Sequence, residues 1–299
     1  MKNKFFKEGS FVHHTFTLVT GTAIAQLISV IVSPILTRLY TPEDFGILAL
    51  FISASSIAAV FVTFRYEMAV VLPKEDREAV NILFLSLLIT FAISILLLIC
   101  VILFNKEISL LLGNDSISVW LYFIPASVML TGLYQTFNYW CNRKKRFKNI
   151  SASRVSDSFS KSSANLIFGY LRITPGGLII GRLIGQLFST SALLIHNLKE
   201  IISLRHFYSK HIIKSQAKKY KDFPFYSLPT SLLDVFSIQI PIVIIVHLFS
   251  NYYVGLYSFA FRMLSIPISL IGVSVGQVFY QKFTELYNSN GDLKKLILK

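Results

Sequence analysis

Five Asp, Lys or Arg side chains stand inside long apolar stretches of the sequence: Asp157, Lys161, Arg182, Asp234 and Arg262. A charge at bilayer depth costs about 3 kcal/mol on insertion scales, so such a group normally faces a wet cavity or an opposite charge. Asp157 and Lys161 are four residues apart and can pair on one helix face. Arg182 and Arg262 have no acidic residue within a turn. The pattern predicts a cavity lined with positive charge, and a neutralised Asp157–Lys161 helix contact is the alternative for that pair.

Small and polar residues at helical spacing accompany these charges. They could line the same cavity, but small and hydroxyl side chains also make ordinary helix-packing contacts in lipid, so both interpretations stay open. The stripes comprise Thr22, Gln26, Ser29 and Ser33 in the first apolar stretch, Ser127, Thr131, Gln135 and Asn138 in the fourth, Gln186 and Ser189 in the sixth, and Ser258, Ser265 and Ser269 in the eighth. Gly177, Gly181 and Gly185 form a separate face that predicts close helix approach. The histidines show no metal-ligand spacing, so we expect neither a metal nor a cofactor.

The elements that position these residues are membrane-spanning helices. Of the 299 residues 54% are hydrophobic and 15% are charged, against about 25% charged in an ordinary soluble domain. This composition excludes a soluble enzyme, a disordered chain and a disulfide scaffold. We predict an all-α polytopic membrane protein with about eight transmembrane helices, each near the length that crosses a ~30 Å hydrocarbon core. The predicted spans are 15–36, 46–64, 80–104, 117–140, 155–171, 177–197, 225–248 and 254–279.

The net charge of +14 is distributed as in an oriented membrane protein. The two termini and the segments 65–79, 141–154 and 198–224 hold 23 of the 29 Lys and Arg residues, and these five segments all fall on one side. Because basic loops stay in the cytoplasm, both termini are predicted to be cytoplasmic. The run Arg143-Lys144-Lys145-Arg146 leaves a lipid- or nucleic-acid-binding patch open as the alternative.

An internal repeat relates two helix–loop–helix segments. Leu39 pairs with Leu248 and Gly46 pairs with Gly255, both at an offset of 209 residues, although two apolar segments can also match by chance. If the repeat is real, its unit is six helices and both copies run in the same direction. We therefore predict a complete six-helix lobe over 1–197, a basic cytoplasmic loop over 198–224, and a partial second lobe of two helices and a tail over 225–299. Four further helices would be needed to complete that lobe.

Several segments resemble bacterial polysaccharide biosynthesis proteins. These are the O-antigen and capsule oligosaccharide flippases of the multidrug/oligosaccharidyl-lipid/polysaccharide exporter superfamily. The resemblance rests on Thr20-Gly21-Thr22-Ala23-Ile24-Ala25-Gln26, on the stretch from Ser33 to Gly46 that contains Leu39-Tyr40-Thr41-Pro42-Glu43-Asp44-Phe45-Gly46, on Arg65-Tyr66-Glu67-Met68 and the residues up to Pro73, and on Gly255-Leu256-Tyr257 and the residues up to Arg262. It covers the whole chain but departs from the family at the C-terminus, where the second lobe is incomplete.

The resemblance implies two six-helix lobes around a central cavity, in a protein of the bacterial cytoplasmic (inner) membrane. Such proteins carry undecaprenyl-diphosphate-linked oligosaccharide to the outer leaflet for O-antigen, lipopolysaccharide, capsule or exopolysaccharide synthesis. We therefore expect lipid-linked oligosaccharide and membrane lipids as partners, with polysaccharide-assembly proteins as further candidates, and neither nucleic acid binding nor enzymatic activity. The candidates for the substrate cavity are Arg65, Lys161, Arg182, Arg262, Gln26 and Gln186. Asp157 and Asp234 are candidates for a coupling-ion site or for counter-charges.

Three other functions remain open from the sequence. The chain could export drugs or small solutes, as other members of the superfamily do, or it could be a non-functional truncated remnant. A membrane-embedded polysaccharide polymerase or glycosyltransferase would need an acidic or histidine-containing site on a sizeable outward loop. The longest such loop carries only Glu107 and Asp115 and no histidine, which disfavours the enzyme.

Overall fold

The computed structural model describes residues 11–289, with side chains described for 14–265 and 272–289. All regular secondary structure in this part of the chain is helical, and short 3₁₀ or π turns at 115–117, 205–207 and 223–227 link some of the helices. The α-helices are α1 (Phe11–Leu39), α2 (Pro42–Ala59), α3 (Tyr66–Ala69), α4 (Asp76–Leu111), α5 (Ser118–Leu121), α6 (Ile124–Arg143), α7 (Phe147–Tyr170), α8 (Gly176–Leu204), α9 (Lys210–Lys219), α10 (Leu228–Leu248) and α11 (Asn251–Asn288). The predicted residue Ser269 lies outside the described side chains.

Seven of the eight predicted apolar stretches coincide with one long helix each, and the fourth, 117–140, is divided between α5 and α6. This arrangement confirms an all-α polytopic membrane protein. By length and hydropathy, five described helices can cross a membrane, or six when the pair 115–121 and 124–143, bent by 52°, counts as one span. Helices α7 and α11 are not among these, so the number of eight spans stays a prediction. The lobe boundaries also stay predictions, and the one at 197 falls within α8.

Two helices differ from the predicted spans at one end. Helix α7 begins at Phe147, eight residues before the predicted span 155–171. Helix α2 ends at Ala59 rather than at 64. Beyond it the chain turns through Phe64 and Arg65, whose φ angles of 49° and 64° are left-handed.

The sequence Thr41-Pro42-Glu43-Asp44 starts α2 by a capping box. The Asp44 backbone N–H donates to Thr41 Oγ1 at 3.3 Å, and the Thr41 backbone N–H donates to Asp44 Oδ2 at 2.9 Å. Pro42 occupies the first turn, where its missing N–H costs no helical hydrogen bond. This part of the motif therefore fixes the residue at which α2 begins.

Helix α7 lies between α1 and α8, and α6 connects α8 to α4. Two buried apolar clusters hold these helices together. One contains Trp140 and Phe147, and the other contains Phe51 and Leu121. Because lipid is as apolar as these side chains, their contribution comes from van der Waals contact and close approach.

Helix α11 packs against α1 and α2, and it crosses α2 through a reciprocal glycine contact. A methyl group added at Gly46 would overlap the backbone carbonyl of Asn251, and one added at Gly255 would overlap the backbone carbonyl of Pro42. Asn251 follows Pro42 by the same 209 positions by which Gly255 follows Gly46. The two contacts are thus related by the repeat offset, as expected for two parallel units about a local two-fold axis.

We predict that Gly46→Ala and Gly255→Ala each lower the thermal unfolding midpoint of the purified protein. Each added methyl must push two backbones apart, and overpacking of this kind costs about 1–3 kcal/mol. Gly272→Ala and Gly276→Ala are the matched controls on α11, because no atom lies within 4 Å of a methyl added at either position. Equal midpoints for all four variants would contradict the close crossing of α2 and α11.

Candidate functional site

Two adjoining cavities lie between the long helices. The first, here called the inner cavity because it lies toward the predicted cytoplasmic side, has a volume of about 600 Å³. Helices α1, α6, α7, α8 and α11 and the segment around Arg65 border it. The second, called the outer cavity, has a volume of about 430 Å³, and α1, α2, α7, α8, α10 and α11 border it. Gln26, Ser29, Lys161 and Arg182 line both cavities, so these residues mark their junction.

The six predicted substrate-cavity residues all line these cavities. Gln26, Lys161 and Arg182 lie at the junction. Arg65 and Gln186 line the inner cavity, and Arg262 lines the outer one from α11. Asp157 also lines the inner cavity, whereas Asp234 is exposed on α10 and lines neither of the two. The structure thus brings seven of the eight candidates together.

The Asp157–Lys161 pair is present, and it lies inside the cavity. Lys161 Nζ donates to Asp157 Oδ2 at 3.2 Å, and both side chains keep about a quarter to a third of their surface exposed. The Nε of Arg182 is buried, and no acceptor among the described residues bonds to it. Arg182 therefore keeps unused hydrogen-bonding capacity at the junction of the cavities.

The glycine face of α8 brings Arg182 close to the charged pair on α7. A methyl at Gly181 would overlap the Asn165 side chain, and one at Gly185 would lie 2.9 Å from Lys161 Cβ. Without side chains at these positions the two helices pack closely. The glycine spacing therefore has the structural role that the sequence predicts, and it also positions the cations.

Arg65 reaches the inner cavity from an unusual turn. Residues other than glycine rarely adopt the left-handed conformation that Phe64 and Arg65 share, and such residues cluster at functional sites. Arg65 Nη1 lies 3.5 Å from Oε1 of the buried Glu67, whose Oε2 accepts a hydrogen bond from Thr63. Burial raises the pKa of Glu67, and the Thr63 hydrogen bond and the Arg65 charge oppose this shift only in part.

The predicted amide Gln186 joins α8 to α6 at the cavity wall. Its Oε1 accepts a hydrogen bond from Ser127 at 2.9 Å, and its Nε2 donates to Thr131 at 3.0 Å. On the opposite wall Ser29 and Ser158 bond to each other at 3.0 Å. The polar stripes thus have both roles that the sequence left open, since they pack helices together and line the cavity.

Arg154 is a cavity residue that the sequence analysis missed. Its Nη2 donates to Gln277 Oε1 at 2.6 Å, and its Nη1 donates to Thr22 Oγ1, so it connects α7 with α11 and α1. Hydropathy assigned Arg154 to the loop 141–154, but α7 already includes it. The signal was its spacing, because Arg154, Asp157 and Lys161 follow each other by three and four residues on one helix face.

The basic run 143–146 is held by acidic residues of neighbouring helices. Arg143 and Lys144 both bond to Asp76 of α4, and Lys144 and Arg146 both pair with Glu200 of α8 at 2.9 and 2.7 Å. Lys145 pairs with Glu285 of α11 at 3.0 Å. All four cations therefore fix the short turn between α6 and α7 to its surroundings, which argues against a free polybasic patch there.

The charge balance of the two cavities favours an anionic ligand. Among the described residues that line them, five are cationic and two are acidic. The cations are Arg65, Arg154, Lys161, Arg182 and Arg262, and the acids are Glu67 and Asp157. Arginine binds phosphate and carboxylate groups by paired hydrogen bonds. Hydroxyl and amide groups of Tyr134, Gln135 and Asn138 lie beside these charges and suit a polyhydroxylated ligand.

Comparison with known proteins gives a family and a fold. A solved structure, described only as protein A, superposes with a TM-score of 0.71 at 13% sequence identity, and the match covers 93% of this chain and 65% of that one. The chain thus spans slightly less than two thirds of that structure, whose likeness concerns the fold alone. No curated protein matches the sequence. The family model for polysaccharide biosynthesis proteins matches residues 35–299, and the chain therefore belongs to this family of polysaccharide biosynthesis proteins.

Proposed function

We propose that this chain translocates lipid-linked oligosaccharide, with a diphosphate between lipid and sugar, across the bacterial cytoplasmic membrane. The observation that carries the proposal is the excess of cationic side chains around two adjoining cavities within a bundle of apolar helices. The family membership supports a role in polysaccharide biosynthesis. The lipid-linked substrate and the flippase activity are the parts that we propose.

The physical problem in this reaction is desolvation. A sugar diphosphate that enters hydrocarbon loses the hydration of its charges and hydroxyl groups, at a cost that no lipid contact offsets. Arg182 and Lys161 at the junction can replace the water around the diphosphate, because charge-assisted hydrogen bonds are about twice as strong as neutral ones. The headgroup can thus move through a polar path while the lipid tail stays in the bilayer.

The two cavities differ in the chemistry of their walls, and this difference indicates where the sugars would bind. The inner cavity presents amide and phenol groups such as Gln135, Asn138 and Tyr139, which can hydrogen-bond to sugars. The outer cavity contains apolar and aromatic side chains, including Phe45, Leu48 and Phe261. We therefore place the sugars in the inner cavity and the diphosphate at the junction. On this proposal the chain performs no covalent chemistry and needs neither cofactor nor metal.

The partners follow from the same proposal. They are the lipid-linked oligosaccharide, the surrounding membrane lipids and the proteins that assemble surface polysaccharide, whereas nucleic acid has no role. Both chain termini lie in the cytoplasm on this proposal, because the basic segments then stay on the inner side.

We predict that Arg182→Ala and Arg262→Ala each reduce surface polysaccharide in a strain that depends on this gene. Losing a hydrogen bond to a charged group costs about 1.5–3 kcal/mol, which corresponds to a roughly 10- to 100-fold loss of headgroup affinity. Surface polysaccharide is measured per amount of membrane-inserted protein.

Arg38→Ala is the matched control for these two variants. Arg38 is exposed at the end of α1 and lines neither cavity, so its removal should leave polysaccharide unchanged. Arg182→Lys keeps the charge and should retain part of the activity. Wild-type polysaccharide in both alanine variants at normal protein level would refute the assignment of these arginines.

The two aspartate candidates can be separated by their positions. We predict that Asp157→Asn alters polysaccharide export, because it leaves Lys161 without its partner inside the cavity. Asp234→Asn should have a smaller effect, because Asp234 lines neither cavity. Export rates are measured at several external pH values for both variants. A larger effect of Asp234→Asn than of Asp157→Asn would contradict the placement of the coupling or counter-charge at Asp157.

A further inference from the structure

Helix α9 carries a stripe of three lysines that pair with no acidic side chain among residues 11–289. Lys210, Lys214 and Lys218 are spaced by four residues, so they lie on one face of the helix, and all three are exposed. Within the part of the chain that the structure describes, none of them forms an ion pair. On the same helix, Lys219 does pair with Glu78, at 3.2 Å. Among the lysines of α9, these three are therefore the ones without an ion pair to a described residue.

The segment that contains the stripe is fixed to the transmembrane bundle. Asn81 of α4 is fully buried, donates to the Phe207 carbonyl at 2.9 Å, and accepts from the Ser209 backbone N–H at 3.0 Å. The Tyr66 hydroxyl donates to the Ala217 carbonyl at 3.0 Å. These bonds hold both ends of α9 against the bundle, so its basic face is presented in one orientation.

Exposed aromatic side chains bracket α9. Tyr208 precedes the helix and is 45% exposed, and Phe225 and Tyr226 follow it and are 70% and 71% exposed. Aromatic rings are enriched at the level of the lipid headgroups. The helix also connects α8 with α10, two helices long and apolar enough to cross a membrane. These features place α9 at the membrane surface.

The contrast with the run 143–146 shows which basic segment is available for binding. The cations of that run pair with Asp76, Glu200 and Glu285, whereas the α9 stripe is exposed without such partners among the described residues. An unneutralised basic stripe at headgroup level complements a lipid surface of negative charge.

We propose that Lys210, Lys214 and Lys218 form a binding surface for the headgroups of anionic phospholipids on the membrane face where α9 lies. This surface is separate from the cavities and goes beyond the transport of a substrate. A basic residue near an anionic membrane contributes about 1 kcal/mol, which is a roughly fivefold change in affinity. Removal of all three charges should therefore weaken binding about 10- to 100-fold.

The test is a titration of the full-length protein in detergent with phosphatidylglycerol or phosphatidylcholine, with bound lipid counted by native mass spectrometry. The test variant replaces Lys210, Lys214 and Lys218 by Gln. The control variant replaces Arg38, Lys106 and Arg172 by Gln, which removes the same charge from exposed positions in the loops predicted to lie on the opposite side. A third variant with arginine at the three α9 positions keeps the charge.

We expect the glutamine variant of α9 to lose phosphatidylglycerol affinity by at least about tenfold, the arginine variant to retain it, and phosphatidylcholine binding to stay unchanged. Wild-type phosphatidylglycerol affinity in the glutamine variant would overturn the proposal. An equal loss in the control variant would also overturn it, because the effect would then follow net charge and not α9. Displacement of the bound phosphatidylglycerol by equimolar inorganic diphosphate would reassign the stripe to the transported headgroup. None of these readouts depends on transport, so failure here leaves the proposed function standing.

Discussion

The close packing of α7 on α8 is the interaction on which the site depends. Gly177, Gly181 and Gly185 turn a face without side chains toward Phe168, Asn165 and Lys161 of α7. Small residues let helix backbones approach in lipid, where no hydrophobic force drives association. The same approach brings Lys161 and Arg182 to the junction of both cavities. The glycine spacing on α8 thus has two effects. It lets the two helices pack closely, and it brings their charged side chains to the cavity.

The crossing of α11 over α2 supplies the opposite wall of the outer cavity. Its reciprocal glycine contacts place Tyr257 and Arg262 of α11 across from Phe45 of α2. At the other end of α11 the Tyr280 hydroxyl donates to the Met68 carbonyl at 3.0 Å. Helix α11 is therefore held to α2 near its start and to α3 near its end, and the two cavities lie between this helix and the α7–α8 pair.

The sequence was informative at four of the five charges that interrupt an apolar helix, and Asp234 is the exception. Lys161, Arg182 and Arg262 were identified on that basis, and the structure brings all three to the cavities. Arg154 was missed because a hydropathy boundary excluded it from α7. The placement of Arg65 depends on a left-handed turn, which no local pattern of the sequence indicates. Sequence periodicity therefore predicts on which face of a regular helix a side chain lies. The positions of irregular turns and helix ends depend on tertiary contacts, which periodicity does not report.

If the chain transports an anionic headgroup as proposed, the two carboxylates in the inner cavity would make its binding reversible. A carrier must bind its cargo strongly enough to desolvate it and weakly enough to release it, as in channels where binding favours entry and still permits exit. Five cations alone would hold a diphosphate tightly in a medium of low dielectric constant. Asp157 forms an ion pair with Lys161, and Glu67 lies beside Arg65. An entering anion must therefore compete with these carboxyl groups for the two cations. The same carboxylates can pair with these cations again when the anion leaves, and this would lower the barrier to its release.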